Sequence, residues 1–138
     1  GSTNAILHIL TYAYELGVTI TLDDFAKYAK EIPLLLNVIP SGPYTVYECH
    51  YAGGVPVIMK MLQSRLYTSG KMLTGITWGE FLDRLEEEPN DIIHSLDNPC
   101  STIPGLQVLY GNLSPNGAIV RPTGVPEEMM VFRKSESI

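Results

Sequence analysis

At Asp91 the sequence changes its grammar, and that change constrains the fold more than any other feature. Before it, apolar residues recur at helical spacing; after it they come in short β-prone runs. If residues 5–16 are helical, Ile6, Ile9, Leu10, Ala13 and Leu16 share one face, and Gly17 stands where a left-handed residue ends a helix. A second helix starts at Thr21, with Asp24 as the distant half of a capping box. Its face is Leu22, Phe25, Tyr28, Ala29 and Ile32, and Pro33 stops it. Pro40, Ser41, Gly42 and Pro43 break every period, so the stretch through His50 reads as a loop with a short extended piece. A third helix follows Ala52-Gly53-Gly54. Pro56 sits in its first turn, and Val55, Ile58, Met59, Leu62 and Leu66 form its stripe. A fourth begins at Thr77, whose capping box is closed by Glu80. Phe81, Leu82 and Leu85 form its apolar side, and Glu86, Glu87 and Glu88 oppose the macrodipole and predict a frayed end.

Pro89 and Asn90 then read as a linker. Beyond them, two short runs flank Ser114-Pro115-Asn116-Gly117. Pro at the second position and Gly at the fourth predict a type I turn and hence a hairpin. The fold class expected is therefore α+β, a mixed α/β chain with helices in the first two thirds and strands at the end. The division falls between residues 1–88 and 89–138.

With 138 residues, of which 45% are hydrophobic and 17% charged, the composition is that of a globular chain. A net charge of −6 gives no electrostatic footprint for nucleic acid. No apolar run approaches the roughly 20 residues that span a bilayer, and no basic segment precedes the first apolar stretch as in a signal peptide. Cys49 and Cys100 are too far apart in sequence for a metal-type pair and too few for a disulfide framework. A reducing, cytoplasmic setting is expected, with an organellar one open if a targeting peptide lies upstream.

The reactive residue types are sparse. His8, His50 and His94 share no ligand spacing. Glu48 and His50 face the same way on an extended segment, but an ordinary polar loop explains them as well. His8 falls near the apolar face of the first helix, which favours a hydrogen-bonded packing role. Asp23 and Asp24 resemble an acid/base pair, yet adjacent helical residues point about 100° apart, and both suit the positive end of a helix. Gly53 and Gly54, ahead of a helix, are candidates for anion binding by bare backbone N–H groups, beside the plainer reading of a tight bend. The cysteines read as free, partly buried thiols. Asn112-Leu113-Ser114 fits a glycosylation triplet, discounted in a chain without a secretory signal. No Ser-His-Asp set, P-loop or dinucleotide fingerprint is present.

Taken in order, "GSTNAILHIL", "ITLDDF", "IPLLLNVIPSGPY", "YAGGVPVIMKML", "LTGITWGE", "SLDNP" and "GLQVLYGNLSPNGAIV" resemble the dihydroxy-acid dehydratase / phosphogluconate dehydratase family over residues 1–132. Family members dehydrate 2,3-dihydroxy carboxylic acids or sugar acids to 2-keto acids. They use an iron–sulfur cluster and a divalent ion, usually magnesium. Their chain is several times longer, so the resemblance implies an internal fragment: the helical end of the N-terminal domain, the linker and the opening strands of a β-rich C-terminal domain. Gly1 and Ser2 match a family run similar to GGSTNA and are either native or vector-derived. The cluster cysteines, most metal ligands and the proposed base lie outside this segment. Cys49 and Cys100 do not match the cluster positions, and no catalytic residue, cluster or metal is expected on this chain alone. Ser2, Thr3 and Asn4 are the candidates for lying near substrate. The expected partners are the rest of the dehydratase chain, a small hydroxy-acid substrate and further copies in a homo-oligomer, with no nucleic acid or membrane. "PSGPY" and "CHYAGG" lean to the sugar-acid branch, and the branched-chain branch stays open. The chain departs from the family at "MLTGIT" (72–77) and in its tail "VPEEMMVFRKSESI", which lacks the expected Gly-Pro-Ala. An alternative expectation is a non-catalytic self-association module derived from a dehydratase.

Overall fold

The computed structural model describes residues 2–129 and 131. Gly1 and the tail departure after residue 131 lie outside the described residues. Among the described residues the architecture is α+β, with five α-helices and a two-stranded antiparallel sheet, the strands coming last. The chain divides into two compact units: Leu34–Thr102, and Gly1–Pro33 together with Ile103–Ile138.

The continuous unit carries α3 (Val46–Tyr51), α4 (Gly54–Met61), a 3-10 turn at Gln63–Arg65 and α5 (Trp78–Asp83). Its first residues are extended: Leu34 bridges Ser101, Leu36 bridges Ile93, and Val38 bridges Tyr44. That alternation sends Leu36 and Val38 toward a core of Cys49, Val57 and Ile93, joined by Ala52, Ile58, Met61 and Ile92. Ile93 reaches this core through a turn that Asn90 organises. The Asn90 Oδ1 accepts from the Ile92 and Ile93 N–H groups at 3.0 and 2.9 Å, and its Nδ2 donates to Ala52 O at 3.1 Å. Asn37 Nδ2 adds a bond to Asp91 O at 3.1 Å. Leu82 on α5 is fully buried, and Gln63 Nε2 donates to Asp83 Oδ1 at 2.7 Å, linking the turn after α4 to the end of α5.

The second unit holds α1 (Thr3–Glu15), α2 (Leu22–Glu31), β1 (Gln107–Gly111) and β2 (Ser114–Val120), followed by 3-10 turns at Pro122–Gly124 and Glu127–Met129. α1 ends as its sequence predicts. Gly17 sits at φ +66°, its N–H donates to Tyr14 O, and the Val18 N–H reaches Ala13 O at 2.8 Å, the paired bonds of a Schellman end.

Four expectations are corrected. Residues 46–51 are helical, not a loop, because Thr45 and Glu48 form a capping box. The third helix is regular only to Met61 and tightens into a 3-10 turn before Leu66. The fourth stops at Asp83, so the acidic run 86–88 lies beyond the helix whose dipole it would oppose. In the hairpin, the turn is Asn112-Leu113, with Gly111 opposite Ser114. Leu109 then faces Ala118, so Pro115, Asn116 and Gly117 oppose Tyr110 alone, and the expected turn sequence is a bulge inside β2. Pro115 has no N–H to give a ladder, and the Ser114 Oγ donates to Gly117 O at 2.8 Å.

Three helices are capped by carboxylates. Glu48 accepts from the Thr45 N–H and Oγ1 at 2.7 and 2.8 Å, Glu80 from those of Thr77 at 2.7 and 3.0 Å, and Asp24 from those of Thr21 at 2.8 and 3.0 Å. The backbone N–H bond, then the hydroxyl bond, holds each carboxyl below its ordinary range. A pKa depressed by folding stabilises the folded state above the unfolded value, and that contribution is lost as pH falls through the folded value. Helical circular dichroism should therefore decline on acidification from pH 5 downward. The triple variant Asp24→Asn, Glu48→Gln, Glu80→Gln should show a flatter profile over the same range.

Candidate functional site

The sequence candidates fall in different units. Ser2 is the N-cap of α1, with extended backbone at φ −111°, ψ 122°, and its carbonyl accepts from the Ala5 N–H at 3.2 Å. Thr3 and Asn4 occupy the first turn, and all three side chains are exposed. No acidic residue lies in that turn, so nothing of that kind there offsets the positive end of the helix.

Gly53 and Gly54 form the corner between α3 and α4. Gly53 is the N-cap of α4 at φ +106°, and its N–H is spent on His50 O at 3.2 Å. A Cβ on Gly53 would lie 2.2 Å from Val57 Cγ2, and Val57 is a core residue. Gly54 is buried at φ +58°. Of the first α4 residues, Pro56 offers no N–H, which leaves Gly54 and Val55 as the foremost amides.

The remaining candidates disperse. Glu48 and His50 do not act together: the Glu48 carboxylate serves the Thr45 cap, while the His50 ring packs edge-on to Tyr51 at 5.4 Å. His8 is exposed, contrary to the packing role expected of it, because the α1 stripe that is covered is Ile6 and Ala13. Asp23 and Asp24 do separate work, as their angular offset implies. Asp24 caps α2, and Asp23 Oδ1 accepts from Tyr110 Oη at 2.6 Å, which raises the Tyr110 phenol pKa. Both cysteines are free thiols, raised by burial.

Sequence reasoning did not single out a shallow cleft of about 220 Å³ lined by Pro89, Asn90, Asp91, His94, Ser95 and Asn98. Its polar groups are largely committed to the loop itself. The His94 Nδ1 lies 3.1 Å from Asn98 O, and the Asn98 N–H donates to Ser95 Oγ at 3.2 Å. The signal available was Pro89-Asn90, since Asn readily bonds the backbone two and three residues on.

Residues 1–81 match the family model described as "Dihydroxy-acid/6-phosphogluconate dehydratase N-terminal", and residues 91–137 match its C-terminal counterpart. The chain belongs to the dihydroxy-acid/6-phosphogluconate dehydratase family. It is 41% identical over 126 residues to the dihydroxy-acid dehydratase of Pyrobaculum aerophilum, covering 88% of this chain and 22% of that one. The enzyme of that name from Francisella tularensis subsp. novicida is 41% identical over 133 residues, covering 94% and 24%. That from Crocosphaera subtropica is 42% identical over 130 residues, covering 91% and 23%. The chain thus spans about a quarter of the length of these relatives.

The described residues do not fit the iron–sulfur cluster and divalent ion that the resemblance implies for a full-length enzyme. Cys49 is enclosed by Val57 and Ile93, an apolar setting that favours the neutral thiol over the thiolate a cluster needs. No three His, Cys, Asp or Glu side chains converge among the described residues.

The corner at Gly53 yields a direct test. Gly53→Ala must adopt a left-handed φ and displace Val57, at a cost of about 1–3 kcal/mol. Urea unfolding should show that loss, whereas Val55→Ala, two residues later and exposed, should unfold near the parent midpoint.

Proposed function

We propose that this chain is a piece of a hydro-lyase that converts 2,3-dihydroxy carboxylic acids or sugar acids to 2-keto acids, and that it is inactive alone. The observation carrying this reading is that N- and C-terminal family models meet within one chain spanning about a quarter of its relatives. The domain boundary then falls between the two matches, near residues 82–90. In the reaction a hydroxyl leaves C3 and a proton leaves C2, and the enol so formed tautomerises to the 2-keto acid. The cluster, the divalent ion and the base belong to polypeptide outside these residues.

Unmet burial supports the same reading. On α1, residues 6, 10 and 13 fall within about 60° of one another on the helical wheel. Leu7 and Tyr14 flank that stripe on one side, Ile9 and Tyr12 on the other, and all four flanking residues are exposed. His8, Thr11 and Glu15 share a narrow polar strip opposite. A helix this apolar around its circumference belongs inside a larger protein. Its partners would be the remainder of the enzyme, which in this reading assembles as a homo-oligomer. Two free thiols suit the reducing cytoplasm.

A second reading uses the same exposed faces differently, as self-association surfaces of a non-catalytic relic. The two separate on the isolated chain and on the longest product containing it. We expect the isolated chain to bind no stoichiometric iron and to turn over no dihydroxy acid, and the longest product to do both. Metal analysis and a 2-keto-acid assay read this directly, and an inactive longest product would leave the relic as the reading.

Ser2, Thr3 and Asn4 are the substrate-proximal residues in this proposal, because the uncompensated start of α1 suits a substrate carboxylate. The glycines at 53 and 54 serve the turn, and an anion there would meet only the two foremost amides of α4. Asn4→Ala in the active enzyme should lower kcat/KM by about tenfold, the equivalent of one charge-assisted hydrogen bond. Unchanged kinetics with unchanged folding would remove Asn4 from the site.

A further inference from the structure

The contact between α2 and the hairpin joins segments that belong to different family domains. Leu22 and Asp23 lie within the N-terminal match, residues 1–81, while Tyr110 and Gly117 lie within the C-terminal match, residues 91–137. Yet these residues sit in one compact unit. Resting on the reading that the chain is part of a two-domain dehydratase, we propose that this contact is a clasp between the two domains, separate from the packing of Ile92 and Ile93 against Cys49 and Val57, with the Tyr110–Asp23 hydrogen bond at its centre.

Three features build the clasp. Tyr110 Oη donates to Asp23 Oδ1 at 2.6 Å across 87 residues of sequence. The distance is that of a strong bond from a hydroxyl to a carboxylate. Asp23 is available for it because capping falls to Asp24, about 100° around the helix. The bulge completes the fit. Pro115, Asn116 and Gly117 stand opposite Tyr110, and Gly117 at φ +94° brings bare backbone to the start of α2. A Cβ on Gly117 would lie 2.8 Å from Leu22 Cδ1 and 2.9 Å from Tyr110 Cε1. A side chain there would have to displace the tyrosine ring that makes the bond. The N-terminal side supplies an acceptor and an apolar contact, and the C-terminal side supplies the donor and a surface stripped of side chain.

The test uses the longest polypeptide containing these residues, with Tyr110→Phe, Asp23→Asn and the double variant. Both substitutions keep shape, so folding is preserved. Amide hydrogen exchange is followed in peptides covering residues 21–31 and 107–120. A clasp predicts that each single variant raises exchange several-fold in both peptides, and that the double variant exchanges no faster than the worse single. Gly117→Ala should reproduce the pattern by moving the ring. Exchange that rises only in the peptide carrying the substitution, or that multiplies in the double variant, would overturn the clasp. Unaltered exchange in both single variants would do the same. The dehydratase assay of the unsubstituted protein stands apart from this measurement, so a missing activity would reject the proposed reaction and leave the clasp to be judged on exchange alone.

Discussion

The carboxamide of Asn90 sets the geometry on which the continuous unit depends. One oxygen gathers two successive backbone amides, and the nitrogen fixes the resulting turn to Ala52 at the end of α3. Ile93 is thereby delivered, fully buried, against Cys49 and Val57. The small size of this core makes that delivery matter: the buried apolar residues are few, and each lost contact weighs heavily against the ordering entropy of the segment. Asp cannot replace Asn90 without losing the Nδ2 donor, and Ala would leave the buried Ile93 amide without the oxygen it uses.

Local signals with a defined geometry were the legible ones. Thr77 with Glu80, Thr21 with Asp24 and Gly17 each predicted an end that the structure has. The helix at 46–51 carries the same Thr-x-x-Glu signal, but the prolines just before it drew the reading toward a loop. Ser114-Pro115-Asn116-Gly117 failed for a different reason. Its residues suit a turn locally, and only pairing with Tyr110 across the ladder makes them a bulge. Asn90 reads as linker in the sequence because its partners are set by tertiary packing at Ala52. The candidate site was legible only by resemblance: the start of α1 has no chemistry that spacing alone would mark, while Gly53 owes its place to Val57.

Family membership and unmet burial tell one story from two directions. Three of the relatives are about four times as long as the region they share with this chain. Independently, α1 offers apolar side chains on both flanks of its covered stripe, and Val46, Tyr47 and Tyr51 on α3 are exposed as well. Hydrophobic surface of that extent is costly in water, and it is the expected state of elements that evolved inside a larger core.

The interleaving of the two units carries a consequence for how the chain acquires its structure. Residues 34–102 are continuous, so their contacts close over shorter stretches of chain than the 87 residues that separate Asp23 from Tyr110. The other unit is split around them, and α2 meets the hairpin only after all of that intervening chain exists. Once the inserted unit is folded, its Leu34–Ser101 bridge holds residues 33 and 103 close in space, so the loop that α2 and the hairpin must close is short in effect.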